Sequence, residues 1–148
     1  MNHQRHLIRE ALVALLAGGG TLAGARVYDH AYDPLAAFPA LDVTDVVEQQ
    51  SAESMPADAD RPVERVFTLE VAAKVQQTAN YARTRDQLLA EVEVLFASAA
   101  LSIPAIKSVT PAGYAPSFDA TASQPIAVGR QRFEVFYITP QGAPATSL

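Results

Sequence analysis

Near the N-terminus, apolar positions return every three or four residues. Ile8, Ala11, Leu12, Leu15 and Leu16 fall on one helical stripe, with Arg5, Arg9 and Glu10 largely off it. The spacing predicts a helix over about His3–Ala17. Gly18-Gly19-Gly20 ends it, because glycine readily takes the left-handed conformation that closes helices. Farther on the period falls to two. Over Pro62–Val75, Phe67, Leu69, Val71, Ala73 and Val75 share one side, while Val66, Thr68, Glu70, Ala72 and Lys74 share the other. That is the clearest strand in the chain. Shorter strands are predicted over Ala25–Tyr28 and over Ala40–Glu48, where Leu41 and Val43 alternate with Asp42 and Thr44.

A second helical stripe, Leu88, Val92, Leu95, Phe96 and Ala99, predicts a helix over about Ala79–Ala99, closed by Ser102–Pro104. Two extended runs follow, Ala105–Tyr114 and Ile126–Thr139. In the second, Phe133, Val135 and Tyr137 alternate with Arg132, Glu134 and Phe136, giving a core side and a mixed side. Asp29–Pro39 carries two prolines and reads as an ordered loop. The segment from about 49 to 61 is small, acidic and polar, and reads as a mobile loop; residues 140–148 read as a flexible end. The whole chain, 1–148, is thus expected to form one α+β domain. Its core is a mostly antiparallel sheet of about four to five strands, with two amphipathic helices on one face.

Composition narrows the chemistry. At 148 residues the chain has the size of one domain, and 49% apolar residues suffice for a core. It has no cysteine, which excludes disulfides, thiolate nucleophiles and cysteine zinc sites. A net charge of −5, with Lys74 and Lys107 as the only lysines, speaks against a monomer that grips nucleic acid through its phosphates. Ala11–Ala25 has some look of a signal peptide, but Glu10 interrupts its start and three glycines break it. No run reaches the ~20 apolar residues of a membrane span. The reading is therefore of a protein made and folded in the cytoplasm, with no membrane partner.

Candidate chemistry is thin. His3, His6 and Glu10 share a helix face at spacings that suit zinc, yet a helix end is a poor place to fix coordination geometry, and they read as solvated. Tyr28-Asp29-His30-Ala31-Tyr32-Asp33 groups an imidazole with carboxylates, a composition of hydrogen-bonded turns. There is no Gly-x-Ser-x-Gly, and the triple glycine follows a helix instead of a strand, unlike a phosphate loop. Glu91 and Glu93, two apart on a helix, point to different sides. No catalytic, cofactor-binding or metal site is assigned, and no cofactor is expected. From that class, the alternative is a small metal-dependent hydrolase resting on His3, His6, His30 and nearby carboxylates.

Six local patterns in order carry a resemblance. They are His6-Leu7-Ile8-Arg9-Glu10-Ala11-Leu12, then Gly24-Ala25-Arg26-Val27-Tyr28 with Asp33-Pro34-Leu35, then Phe38-Pro39-Ala40-Leu41-Asp42-Val43. Past a variable loop come Glu64-Arg65-Val66-Phe67-Thr68-Leu69-Glu70-Val71, Ala90-Glu91-Val92-Glu93 and Phe133-Glu134-Val135-Phe136-Tyr137. In this order the chain resembles, over nearly its full length, the phage tail-terminator family, also called tail-completion or minor tail protein U. The resemblance implies a non-enzymatic virion protein: a ring, commonly a hexamer, at the head-proximal end of the tail. Its partners would be other copies of itself, the tail tube protein and a head-side connector, with DNA only as cargo in the channel. A different neck protein, a head-closure or head-to-tail adaptor subunit, is the alternative within the class. The implied subunit interface draws on Arg26, Tyr28, Tyr32, Phe136 and Ile138. The implied channel wall, or contact to a neighbour, draws on Glu48, Glu53, Asp58 and Asp60, whose charge would keep DNA from sticking.

Overall fold

The computed structural model describes residues 3–31, 37–52, 61–76, 78–119 and 125–148. The first helix, α1 (Gln4–Gly18), begins where His3 caps it: the His3 Nδ1 accepts the Arg5 N–H at 3.0 Å. Ile8, Leu12 and Leu16 of its stripe are buried, as the 3.6-residue period requires. The first part of the segment with some signal-peptide character, Ala11–Gly18, thus belongs to an amphipathic helix seated on the core. Gly19 closes it tightly against the second helix. A Cβ there would lie 2.4 Å from Leu95 Cδ1, so only glycine fits without a shift.

The strands are β1 (Val27–Asp29), β2 (Ala40–Ala52), β3 (Pro62–Gln76), β4 (Ser108–Asp119) and β5 (Ile126–Pro140). They form one sheet in the order β1-β2-β3-β5-β4, antiparallel except for the parallel β1–β2 pair. Both main helices, α1 and α2 (Tyr81–Ala97), lie on one side of it. Their Leu12, Leu16, Leu88 and Phe96 meet Leu41, Val43, Phe67, Leu69, Phe133 and Val135 of the sheet. Phe96 packs edge-on against Phe133, ring centroids 4.8 Å apart. The architecture is the α+β layer fold that the periodicities indicate.

Several boundaries differ from the sequence reading. Strand β2 does not stop at Glu48: Gln49–Ala52 continue the ladder opposite Val66–Val63, satisfying their backbone groups there. The remainder of the expected mobile loop, 53–60, lies outside the described residues, as does Tyr32. The second helix breaks at Ser98, whose hydroxyl and N–H both return to Leu95 O, and resumes as the single turn α3 (Ala99–Ser102). Strand β4 starts at Ser108, not Ala105, and runs five residues past Tyr114. Residues 140–148, expected as a flexible end, turn back on the body. The Gln4 N–H donates to Pro144 O, and the Leu148 N–H donates to Ile138 O.

Two irregularities shape the sheet. In β2 the register shifts between Asp45 and Val47, so that Val43 faces Val71 but Glu48 faces Phe67. This one-residue bulge reverses the alternation, turning even-numbered residues toward the helices. In β4, a second shift around Pro111 and Gly113 (φ 138°), together with Pro116, interrupts an otherwise long exposed edge. Prolines and bulges on an edge strand hinder pairing with a further strand.

Candidate assembly interface

The sheet face away from the helices alternates with the core face. It carries Tyr28 on β1, Asp42 on β2, Val66, Thr68, Glu70, Ala72 and Lys74 on β3, and Arg130, Arg132, Phe136 and Ile138 on β5. Among the described residues no helix crosses it. Its centre is ionic: Glu70 accepts from Arg130 at 3.0 Å and from Arg132 at 3.3 Å, and Lys74 reaches Asp42 at 3.6 Å. Glu70 is buried between these arginine side chains while the arginines are half exposed. Phe136 and Ile138 lie beyond this ionic centre, beside Val66 and Glu64, and are partly exposed.

The residues singled out from sequence thus separate. Tyr28, Phe136 and Ile138 do share a face, but Tyr28 aligns through Asp42 and Ala72 with Arg130, six residues along β5 from Phe136. At ~3.3 Å per residue that is about 20 Å along the strand. They are two patches on one face. Arg26 is held elsewhere: its Nε donates to Pro39 O at 2.8 Å, and its own carbonyl accepts the Leu41 N–H, tying the start of β1 to the start of β2.

Glu48, the last residue of the strand expected from sequence and a candidate for the channel wall or a neighbour contact, is turned to the helix side by the β2 bulge. Its side chain is only 6% exposed. One carboxylate oxygen accepts from Arg5 (2.7 Å), Gln50 (2.6 Å) and Arg65 (3.2 Å), and the other accepts a very short hydrogen bond from the Tyr137 hydroxyl. Arg65 also donates to the buried Thr139 hydroxyl at 2.9 Å. The carboxylate therefore clasps α1, β2, β3 and β5 together and does not present its charge on a wall. Burial acts to raise its pKa, but the hydrogen bonds from Tyr137 and Gln50 and the Arg5 charge outweigh burial and hold it below the ordinary 4.5. Tyr137 is pushed up, first by burial and then by its bond to the Glu48 carboxylate. Sequence reasoning missed this cluster because its members are scattered over the chain and only the bulge brings them together.

A second cluster fixes the β1 edge. Arg9 reaches Asp29 at 3.0 Å and Asp45 at 3.0 Å, while His30 (φ 54°) places Nδ1 at 2.5 Å from Asp29 and accepts the Asp45 N–H on Nε2 at 3.2 Å. Burial raises the Asp29 pKa, but the hydrogen bonds from His30 and Arg9 prevail and lower it. These bonds make the His30 segment a tied turn. His3 is spent on the helix cap, and His6 lies between Arg9 and Glu10. Among the described residues, no three side chains are grouped to hold a metal ion, and no helix is long and apolar enough to cross a membrane.

The charge distribution is uneven along the sequence. Residues 53–60 of the β2–β3 connection hold three acidic residues, Glu53, Asp58 and Asp60, and no lysine or arginine. Of the proposed channel residues, Glu53, Asp58 and Asp60 all fall in the β2–β3 connection.

No family model matches the chain, and no curated protein does either. Among solved structures, it is similar to a chain described as virion of native gene transfer agent (GTA) particle. The two are 17% identical with a TM-score of 0.46, over 87% of this chain and 91% of the other.

Proposed function

We propose that this protein is a structural virion subunit of the tail-terminator type, acting through surface shape and not through catalysis. Copies form a ring of six at the head-proximal end of the tail tube. The ring stops tube polymerisation and offers its other side to the head-side connector, with DNA passing through the channel. The order of the six sequence patterns supports this reading. The observation that carries it is the sheet face that no helix crosses among the described residues, where Val66, Phe136 and Ile138 lie beside an ionic centre. A ring needs a surface on each subunit that meets a different surface on the next, and the partly exposed Val66, Phe136 and Ile138 are suited to one of the two. The acidic surplus in the β2–β3 connection fits a channel through which a polyanion must slide without adhering.

The test is the mass and shape of the purified protein, by light scattering and negative-stain microscopy over rising concentration. Closed rings are expected. Phe136→Asp combined with Ile138→Asp should leave the circular-dichroism spectrum unchanged and weaken association by tenfold or more, about 1.4 kcal/mol or above. A protein that stays monomeric at high concentration, and also in assembled particles, would refute the ring.

A further inference from the structure

The ionic centre of the open sheet face exposes its two signs of charge unequally. Its carboxylates lie low, with the side chains of Glu70 and Asp42 12% and 10% exposed, while Arg130 and Arg132 stand above Glu70 at 45% and 53%. Arg130 gives Glu70 its Nη1 and Arg132 gives its Nε. A guanidinium carries five N–H donors, so most of theirs remain for another acceptor. On the β4 side the two arginines stand opposite Ala115 and Gly113, small residues that leave room beside them. The carboxylates nearest in register are Glu134, two residues along β5 from Arg132, and then Asp119, opposite Ile126, four residues from Arg130. Neither lies between the two arginines.

The sequence holds a segment of matching chemistry. In the β2–β3 connection Asp58-Ala59-Asp60 sets two carboxylates two residues apart, the same spacing as Arg130 and Arg132. Residues two apart in extended backbone point to one side, ~6.6 Å from each other. An extended Asp-Ala-Asp therefore lays one carboxylate on each guanidinium, a charge-assisted and often bidentate pairing. The segment falls short of the arginines of its own chain. Arg132 is opposite Glu70, eight residues along β3 from Pro62, or about 26 Å. Asp58 is four residues from Pro62, a reach of about 14 Å at most, and Asp60 has half of that. The arginines within its reach belong to another copy.

We propose that Asp58-Ala59-Asp60 of one copy binds Arg130 and Arg132 of the next. Two different surfaces meet in this contact, the head-to-tail relation from which rings close. The inference rests on the ring reading and names its second surface. The open sheet face with Phe136 and Ile138 receives, and the β2–β3 connection of the neighbour inserts. Glu53, outside the aspartate pair, is left for the channel wall.

Two peptides of residues 53–60 with blocked ends test it, one of the parent sequence and one with Asp58→Asn and Asp60→Asn. Each is titrated into the dilute, isotope-labelled full chain. The parent peptide should shift the side-chain Nε–H resonances of Arg130 and Arg132. It should bind at least about tenfold more tightly than the asparagine peptide at low salt, an advantage that salt erodes. Arg130→Lys with Arg132→Lys keeps the counter-charges of Glu70 but loses the planar fork, and should shrink the preference. In the full chain, Asp58→Asn with Asp60→Asn should weaken association by a similar factor with an unchanged circular-dichroism spectrum. Binding of neither peptide, equal binding of both, shifts elsewhere, or rings untouched by the asparagine pair would overturn the inference and leave the ring standing. A chain that binds the parent peptide at the two arginines yet never closes into rings would refute the ring and keep the contact.

Discussion

Glu48→Ala is expected to lower the stability of the folded chain by ~3–5 kcal/mol, read from the urea midpoint at neutral pH. Few single changes away from the apolar core should cost as much. The substitution strips the counter-charge from Arg65, whose side chain is 10% exposed, and leaves the buried Tyr137 hydroxyl without its acceptor. A buried cation without its partner costs far more than the pair contributes by comparison with apolar residues of the same shape. Tyr137→Phe removes one donor but leaves Arg5, Gln50 and Arg65 on the carboxylate, and should cost only about 1–2 kcal/mol. A Glu48→Ala variant as stable as the parent would mean that the clasp does not hold.

The same site makes stability depend on pH, with a definite sign. In the folded chain the Glu48 carboxyl is held below the 4.5 of an ordinary glutamate. The unfolded chain therefore binds its proton first as pH falls, and stability falls with it. The contribution is complete above the unfolded value and disappears as pH drops through the lowered folded value. Glu48→Gln should accordingly flatten the decline of stability below pH 4.5, measured as urea midpoints across the acid range. An unchanged acid decline would contradict this.

Phe96→Ala is the second large effect, at ~3–5 kcal/mol. Phe96 is 1% exposed and joins α2 to Phe133 on β5, so its loss opens a cavity at the centre of the helix–sheet contact. Packing in interiors is too dense for the neighbours to fill it. The expected readout is a shifted unfolding midpoint together with weaker association of rings, since fewer chains are folded at a given temperature. Phe136→Ala, on the open face, should change stability by much less and association by more.

The contrast between those two phenylalanines was partly visible in the sequence. Strict alternation along 62–75 and 133–138, and the stripe of Ile8, Leu12 and Leu16, fix which residues enter the core, because burial of apolar surface dominates at those positions. The α+β class and the one-sided helix layer follow from them. Gln49–Ala52 were not legible as strand: polar, small residues gain their place from backbone pairing with β3, a contact between distant segments. The bulge near Val46 leaves no trace in the hydrophobic pattern, yet it decides that Glu48 turns inward and clasps four elements. β4 has too many prolines and polar residues to register as a strand beyond Tyr114, and is held by its neighbour β5.

For the candidate interface, alternation placed Phe136 and Ile138 opposite Phe133, Val135 and Tyr137, and the sheet keeps them on the helix-free face. Tyr28 joins that face through parallel pairing with β2, which a three-residue strand cannot announce. Arg26, by contrast, is spent on Pro39, a backbone acceptor thirteen residues away that no local pattern reveals.

The central proposal, termination of a tail tube by a ring of this chain, is tested most directly by tail length in particles made without it. With the gene removed and tube subunits intact, electron microscopy should show tails much longer than normal and unattached to heads. Supplying the parent protein should restore both length and joining, whereas Phe136→Asp with Ile138→Asp should not. Tails of normal length, joined to heads in the absence of the protein, would contradict the account.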